Sequence, residues 1–129
     1  MATFIRVYSG DDGQSHVEEF EPEFKPFLDT EGAHGEATDL QSATGITIRR
    51  NPPGYFLDWH CAPRRQYTIT IAGELELGTG DGTVLRCGPG TVLLAEDLTG
   101  QGHRSGGAFQ SQSDGAGGFE ALHQLRHGR

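Results

Sequence analysis

A glycine-bounded segment of the chain carries the residues best suited to chemistry. Between Gly54 and Gly73 the sequence reads G-x5-H-x-A-x3-Q-x6-G, with the histidine at His60 and the glutamine at Gln66. An unperturbed imidazole titrates at about pH 6.5, so His60 is suited both to proton transfer and to binding a metal ion. Gln66 could orient a substrate or hold one tautomer of His60 through a hydrogen bond. The segment therefore predicts acid–base or metal chemistry.

The spacing of this segment resembles the first motif of the cupin superfamily, G-x5-H-x-H-x3-E-x6-G. His60 stands at the position of the first motif histidine. Ala62 stands where the motif has its second histidine, and Gln66 stands where it has glutamate. The resemblance implies an all-β fold, the cupin double-stranded β-helix or jelly-roll barrel, with a pocket inside the barrel. It also implies that two of the three metal ligands of this motif are replaced.

The second cupin motif, G-x5-P-x-G-x2-H-x3-N, has a weaker counterpart in the chain. From Gly90 the sequence reads GTVLLAEDLTGQGH and reaches His103, two residues later than the motif requires. Glu96 stands at the proline position, and Gly107 stands at the asparagine position once the register is shifted. We therefore align His103 with the motif histidine through a longer loop. The resemblance covers roughly residues 45–105.

A cupin metal centre implies three imidazoles and one carboxylate around a divalent transition metal. This chain offers His60 and His103 as imidazole ligands, and Gln66 as a neutral, weaker oxygen ligand. Losing one imidazole and one negative charge should weaken the binding of a dication by on the order of several kcal/mol. A divalent transition metal is thus a possible cofactor, completed by a neighbouring side chain, substrate or water, but the sequence requires none.

Without a metal, the two histidines predict proton transfer in a β-lined pocket. A pair of imidazoles across a small cavity suits an isomerisation, a cyclisation, an elimination or a decarboxylation. Around His60, His103 and Gln66 as catalytic candidates, the sequence predicts four substrate-binding residues: Tyr55, Arg64, Thr68 and Thr70.

Arg64 is expected to face the cavity, where its guanidinium could receive a carboxylate or a phosphate. A surface ion pair is an equally good interpretation of this residue. Glu96 and Asp97 are neighbours whose side chains should diverge, so we expect them to cap the backbone amides of the loop at Thr99 and Gly100 rather than to act together.

Strict alternation along the strand predicts an apolar outer face. Tyr67, Ile69 and Ile71 should point away from the cavity, and Leu75 and Leu77 should continue that face. An apolar sheet face left in water promotes association. We therefore expect either the N-terminal arm or a second subunit to cover it, and predict a homodimer.

The rest of the chain shows short, evenly spaced strand patterns separated by turns, which is typical of a sandwich or barrel. The predicted N-terminal part, residues 1–44, has strands near 3–8 and 16–20 and an extended arm over 21–43. The predicted cupin barrel follows over residues 45–129. It contains a Gly/Ser-rich loop at 106–118 and ends at 119–125 in a last strand, which we favour over a short helix.

Charge and hydropathy exclude several classes of partner. The formal net charge is −8 at pH 7, which argues against nucleic acid and against an anionic membrane surface. No apolar run approaches the roughly 20 residues that cross a bilayer. The start of the sequence lacks the pattern of a signal peptide, so a cytoplasmic location is expected.

The favoured function is a small-molecule enzyme of the isomerase, cyclase or lyase type, with acid–base chemistry and an incomplete or absent metal centre. Two alternatives stay open. One is a non-catalytic, ligand-binding or sensory cupin, and the other is a metal-dependent oxygenase or decarboxylase with a non-standard ligand set.

Overall fold

The structure, a computed structural model, describes residues 3–107 and the backbone of residues 118–125. Every regular element in these two ranges is a β-strand, which confirms the predicted all-β class for this part of the chain. Within the same ranges, no helix long and apolar enough to cross a bilayer is found. The strands are β1 (Phe4–Ser9), β2 (Ser15–Glu19), β3 (Lys25–Leu28), β4 (His34–Ala37), β5 (Ala43–Asn51), β6 (Phe56–His60), β7 (Gln66–Ala72), β8 (Leu75–Gly78), β9 (Val84–Cys87), β10 (Val92–Glu96), β11 (His103–Gly106) and β12 (Gly118–Leu125).

Two larger sheets make up most of the fold. One has six strands in the order β2-β1-β10-β7-β12-β5, and the other has four strands in the order β6-β11-β8-β9. Neighbouring strands are antiparallel, except that β1 runs parallel to β10. The predicted last strand is thereby confirmed, because β12 pairs with β5 on one side and β7 on the other.

The two sheets face each other across a shared cavity. Gln66 and Leu93 line it from the six-stranded sheet, and Leu77 and His103 line it from the four-stranded sheet. The buried apolar cluster lies in the same interlayer space and contains Ile5, Val7, Leu77 and Leu93. The interior between the sheets is therefore partly packed core and partly cavity.

The N-terminal part adds to the six-stranded sheet and crosses its outer face. β1 and β2 extend the sheet beside β10, while the predicted arm contains the separate hairpin β3–β4. Phe20, at the end of the predicted strand 16–20, and Phe24 of the arm line an apolar groove of about 290 Å³ together with Tyr67 and Ile69 of β7. The side-chain amide of Gln41 donates to the Tyr67 hydroxyl at 3.2 Å. The arm thus covers part of the predicted apolar outer face.

One prediction about that face is wrong. Leu75 and Leu77 do not continue it, because both side chains line the inner cavity. At Gly73, where φ is 80°, the chain leaves the six-stranded sheet and enters the four-stranded sheet at β8. Side-chain alternation cannot be counted across such a change of sheet. The Gly/Ser-rich loop predicted at 106–118 lies outside the described residues apart from its ends.

Candidate functional site

The cavity between the sheets has a volume of about 300 Å³. This size is at the lower end of the range of roughly 300–1,000 Å³ found for small-molecule sites. Strands of both sheets and the β6–β7 connection contribute to its wall. The described lining residues are Arg49, Tyr55, Leu57, His60, Ala62, Pro63, Gln66, Thr68, Leu75, Leu77, Leu93, Ala95, His103 and Ser105.

His60 and His103 both lie in this wall, and their imidazole rings are in contact. They are cross-strand partners in the antiparallel pairing of β6 with β11. Their ring centroids lie 4.4 Å apart, and the ring planes meet at 61° in an edge-to-face arrangement. His103 is buried, whereas His60 is partly accessible. The structure therefore brings together the two histidines that the sequence singled out.

A β-bulge in β6 aims His60 at the cavity. Leu57 and His60 are three residues apart, and an odd separation puts side chains on opposite faces of a regular strand. In the pairing with β11, His60 is opposite His103 while Leu57 is opposite Ser105, so β6 carries one extra residue here. The bulge lets both Leu57 and His60 line the same cavity.

Gly102 holds the β11 end of the pair against β6. Its φ is 80°, a left-handed conformation that costs other residues free energy. A Cβ built on Gly102 would lie 2.0 Å from the carbonyl oxygen of His60, which is too close for two non-bonded heavy atoms. Only glycine allows the two backbones to come this close immediately before His103.

The hydrogen bond at Nδ1 fixes the tautomer of neutral His60. Nδ1 lies 2.6 Å from the carbonyl oxygen of Asp58, which can only accept a hydrogen bond, so Nδ1 carries the hydrogen. Nε2 is then the nitrogen with a free lone pair. Burial lowers the pKa of His60, and the nearby His103 lowers it further, although the Asp58 carbonyl and the Asp97 charge act in the opposite direction. His60 is therefore poised as a neutral base.

A buried carboxylate, Asp97, orients His103. Asp97 Oδ2 lies 2.5 Å from His103 Nδ1 and accepts a hydrogen bond of 2.6 Å from the Ser15 hydroxyl. Asp97 and Ser15 are both fully buried. The three residues do not form a serine nucleophile site, because Ser15 contacts the carboxylate and not the imidazole. Asp97 instead fixes the hydrogen on Nδ1 of His103 and leaves Nε2 as its second nitrogen.

The expectation that Glu96 and Asp97 cap loop amides is wrong. Asp97 contacts His103 and Ser15, as described above. Glu96 accepts hydrogen bonds from Arg6 and Arg65, which join strands β1 and β10 to the start of β7. Burial raises the pKa of Glu96, but the two guanidinium hydrogen bonds outweigh it, so the pKa is lowered overall. Glu96 is thus part of an ion-pair network away from the cavity.

The predicted binding residues fall into two groups. Gln66, Thr68 and Tyr55 line the cavity with the histidines, and Ala62 lies in its wall too. Thr70 is buried in β7 but is not one of the described lining residues. Arg64 is exposed and outside the described lining, so its predicted inward orientation is wrong. The reason is that β7 begins only at Gln66, and the irregular chain after Pro63 breaks the alternation.

The sequence interpretation missed Arg49, which lines the cavity from β5. Its guanidinium donates to the Tyr55 hydroxyl at 3.4 Å and lies 6.0 Å from the centroid of the Tyr55 ring. Alternation along β5 implies that one residue of the Arg49–Arg50 pair faces inward. Which of the two does so could not be predicted without knowing how the strand pairs in the sheet. Asp97 and Ser15 carried no comparable spacing signal.

The donor set does not match a cupin metal centre. Catalytic metal sites commonly use three protein ligands, and a cupin site uses three imidazoles and a carboxylate. Among residues 3–107, no group of three or more His, Cys, Asp or Glu residues is placed to hold a metal ion. His60 and His103 come with the neutral Gln66, and Ala62 lies in the wall where the resemblance implies a histidine. The described residues therefore do not fit the ligand set of a cupin metal centre.

No protein-family model matches the chain, and the search of curated proteins found no match either.

Proposed function

We propose that this protein is a small-molecule enzyme of the isomerase, cyclase or lyase type, with acid–base chemistry in the cavity of a cupin-like jelly roll. The observation that carries the proposal is the pairing of His60 with His103, whose rings lie 4.4 Å apart in the wall of a cavity of about 300 Å³. Each ring is oriented at Nδ1, by the Asp58 carbonyl and by the Asp97 carboxylate respectively.

The strand pairing supports the jelly-roll part of the proposal. Among the eight strands from β5 to β12, the first pairs with the last, β6 pairs with β11, β7 pairs with β10, and β8 pairs with β9. Such nested pairing arises when one long hairpin, closed at the β8–β9 turn, is rolled into two facing sheets. Rolling of this kind is the architecture of a jelly roll.

The proposed reaction begins with proton transfer to His60. The lone pair on Nε2 removes a proton from a substrate carbon, and the electrons of the broken C–H bond stay on the substrate as an enolate or a new double bond. The histidine pair then returns the proton to a second atom of the same substrate, so an isomerisation balances without any co-reactant. While His60 holds the proton, the negative charge of Asp97 stabilises the His60 imidazolium, since that charge acts to raise the pKa of His60.

Enzymes of this kind exchange substrate C–H hydrogens with solvent, and this exchange can be measured before the substrate is identified. Small-metabolite extracts would be incubated with the protein in D₂O and followed by proton NMR and mass spectrometry. The proposal predicts that the wild type and a His34→Gln control, changed on the exposed strand β4, introduce deuterium into a particular metabolite, whereas His60→Gln does not. Equal exchange by His60→Gln, or no exchange by the wild type, would reject an acid–base role for His60.

A metal-dependent function is the second candidate. It is favoured by the Nδ1 hydrogen bonds of both imidazoles, because histidines that bind a metal through Nε2 usually donate a hydrogen bond from Nδ1. Elemental analysis of protein purified without chelator or nickel resin separates the two candidates. A stoichiometric transition metal that is lost in His60→Gln supports the metal-dependent function. Exchange activity that survives exhaustive chelation supports metal-free acid–base chemistry. A protein that retains a small molecule but exchanges no hydrogen supports the non-catalytic, ligand-binding alternative.

A further inference from the structure

The hairpin formed by β3 and β4 lies apart from the two larger sheets. Among the described strands, β3 and β4 pair only with each other. Every residue from 23 to 36 is exposed, and Ala37 at the end of β4 is half-buried. An isolated two-stranded hairpin is only marginally stable in water, so a hairpin this exposed needs another surface to pack on.

The hairpin carries large apolar side chains on both of its faces. Phe27 is 40% exposed and Leu28 is 76% exposed. The Phe27 ring lies over Gly35 of the facing strand, where an added Cβ would be 3.2 Å from its Cε1 atom. Leu28 lies on the other face, since neighbouring side chains of a strand point in opposite directions. A hairpin folded onto its own sheet can bury only one face, whereas a hairpin held between two subunits buries both.

Both ends of the hairpin are tied to the outer face of the six-stranded sheet. Phe24 precedes the hairpin and Thr38 follows it, and both line the groove that is formed with Tyr67 and Ile69 of β7. The hydrogen bond from Gln41 to the Tyr67 hydroxyl holds the arm just after the hairpin. The hairpin therefore projects from a fixed position on this face.

The same outer face carries a second apolar surface that is left exposed. In β7, Ile71 lies two residues beyond the groove residue Ile69 and therefore on the same face. In β5, Arg49 lines the cavity, so residues at odd separations from it face outward. We call the exposed isoleucines of this face the isoleucine surface: Ile46, Ile48 and Ile71. One chain thus presents two apolar surfaces, the hairpin and the isoleucine surface, that it does not bury by itself.

The charge of the arm narrows the kind of partner that the hairpin fits. Residues 21–42 include six acidic residues and one basic residue, Lys25. An anionic membrane surface and a nucleic acid both repel such a segment. Apolar side chains next to acidic groups suit an apolar protein surface instead, and the isoleucine surface of a second copy is one.

We infer that the hairpin is an exchanged arm: in a two-fold dimer, the β3–β4 hairpin of each chain packs on the isoleucine surface of the other. A two-fold axis repeats the same contact twice, so one kind of contact closes the dimer and buries both hairpins and both isoleucine surfaces. The inference goes beyond the proposed function and is independent of it, because no residue of either surface is among the described residues that line the cavity.

Photo-crosslinking on the full chain tests the exchange directly. Chains labelled with ¹⁵N and carrying Leu28→p-benzoylphenylalanine would be mixed with an excess of unlabelled wild-type chains and irradiated. Mass spectrometry should find crosslinks from the labelled hairpin to unlabelled peptides that contain Ile48 or Ile71. The control carries the same group at Leu98, an exposed leucine outside both surfaces. Crosslinks confined to labelled peptides, or equal crosslinking from both positions, would overturn the inference.

A shortened arm tests whether the hairpin closes the dimer. Lys25 and Ala37 are cross-strand partners, so a two-residue Asn-Gly turn can replace residues 26–36 without moving the ends of the arm. Circular dichroism should show a folded β protein. We expect light scattering to give the mass of one chain at a micromolar concentration where the wild type has the mass of two. A shortened chain that still dimerises, or a wild type that is monomeric, contradicts the inference.

Leu28→Glu is a milder change that keeps the length of the arm. The dimer contains two copies of the substitution, and each should weaken association by about tenfold or more, so the dissociation constant should rise by about a hundredfold or more. Thr30→Glu is the matched control, because it adds the same charge at a turn that already carries Asp29 and Glu31. It should leave the dissociation constant nearly unchanged. Equal weakening by both variants would show repulsion between charges instead of a packed leucine, and would count against the inference.

Discussion

His60 and His103 lie directly opposite each other in the pairing of β6 with β11, and their ring centroids are 4.4 Å apart. Opposing residues of an antiparallel pair have Cβ atoms about 4.5–5.5 Å apart, so two rings on one face are expected to touch. The β-bulge after Leu57 puts that face on the cavity. The pairing of β6 with β11 therefore positions the two imidazoles, and their contact does not depend on the conformation of a loop.

Asp97→Asn should impair the hydrogen exchange that we propose for this protein far more than it impairs folding. The amide can turn its NH₂ group toward Nδ1 and select the wrong tautomer of His103, as in other carboxylate–imidazole pairs, where the loss reaches about 10⁴-fold. We expect a loss of roughly 10²–10⁴-fold in exchange rate. The measurements are the exchange rate in D₂O and the ¹⁵N shifts of the His103 ring, which report the tautomer.

Ser15→Ala provides the matched comparison for Asp97→Asn. It removes the other hydrogen bond to the same carboxylate oxygen but leaves the contact with His103 in place. It should lower the free energy of unfolding by about 1–3 kcal/mol, because a buried hydrogen bond is lost, and should not change the His103 tautomer. An equal loss of exchange in both variants would mean that Asp97 acts through stability alone.

The lowered pKa of His60 predicts a specific pH dependence. Since neutral His60 is the proposed base, exchange should persist as the pH falls to about 6.5, the ordinary pKa of histidine, and should decline only below it. Protonation also opposes folding. Since the unfolded chain binds the proton more readily, stability is full above about pH 6.5 and is lost as the pH falls through the folded pKa.

An NMR titration of the His60 ring tests this prediction, alongside urea denaturation at pH 7 and in mildly acidic buffer. His60→Gln should remove the His60 share of the stability loss at acidic pH. A His60 ring that titrates at or above the ordinary value would contradict the assignment of a buried neutral base.

Gly102→Ala should damage the site more than glycine replacement at another left-handed position. A left-handed backbone costs a non-glycine residue about 1–2 kcal/mol, and forced overpacking adds about 1–3 kcal/mol. Gly82→Ala is the control, because its φ is also positive, at 92°, but no atom lies within 4 Å of the Cβ position. We expect only Gly102→Ala to abolish the His60–His103 ring contacts in NOE spectra. Similar unfolding free energies in the two variants would argue against the close approach.

The homodimer stays a prediction. In the structure, only part of the outer sheet face is left exposed for a second subunit to cover. The arm covers the outer face near Tyr67, but Ile46, Ile48 and Ile71 are 56%, 72% and 52% exposed. We propose that a second copy of the chain packs on these isoleucines, which face outward from β5 and β7. Stable interfaces of this kind bury about 1,200–2,000 Å² in total.

Size-exclusion chromatography with light scattering should give the mass of two chains at micromolar concentration. Ile48→Glu should reduce it to one chain, whereas Leu98→Glu, an exposed leucine after β10, should not. A wild-type protein of single-chain mass would refute the dimer.

Much of this fold could be predicted from short-range sequence patterns. The alternation at Tyr67–Ile71, the turn at Thr79–Gly82 and the glycines around the β9–β10 turn mark strand ends that depend on local chemistry. The closeness of His60 and His103 was predicted from their alignment with the histidines of the two cupin motifs. Strands and turns of this kind can be predicted because they depend on residues that are close together in the sequence.

Other features depended on long-range pairing and were not readable. The orientation of Leu75 and Leu77 changes where the chain changes sheets at Gly73. The inward position of Arg49 is set by the pairing of β5 with β12. Asp97 bonds to Ser15, 82 positions away along the chain, so no local pattern could reveal the contact.

A double-mutant cycle on His60 and His103 tests the central claim most directly. Deuterium incorporation into the exchanging metabolite would be measured for the wild type, His60→Gln, His103→Gln and the double variant, with chelator present. If the pair acts as one acid–base unit, each single variant loses nearly as much rate as the double variant, because residues that act together are strongly non-additive. Losses that multiply independently, or an unaffected rate in either single variant, would contradict it.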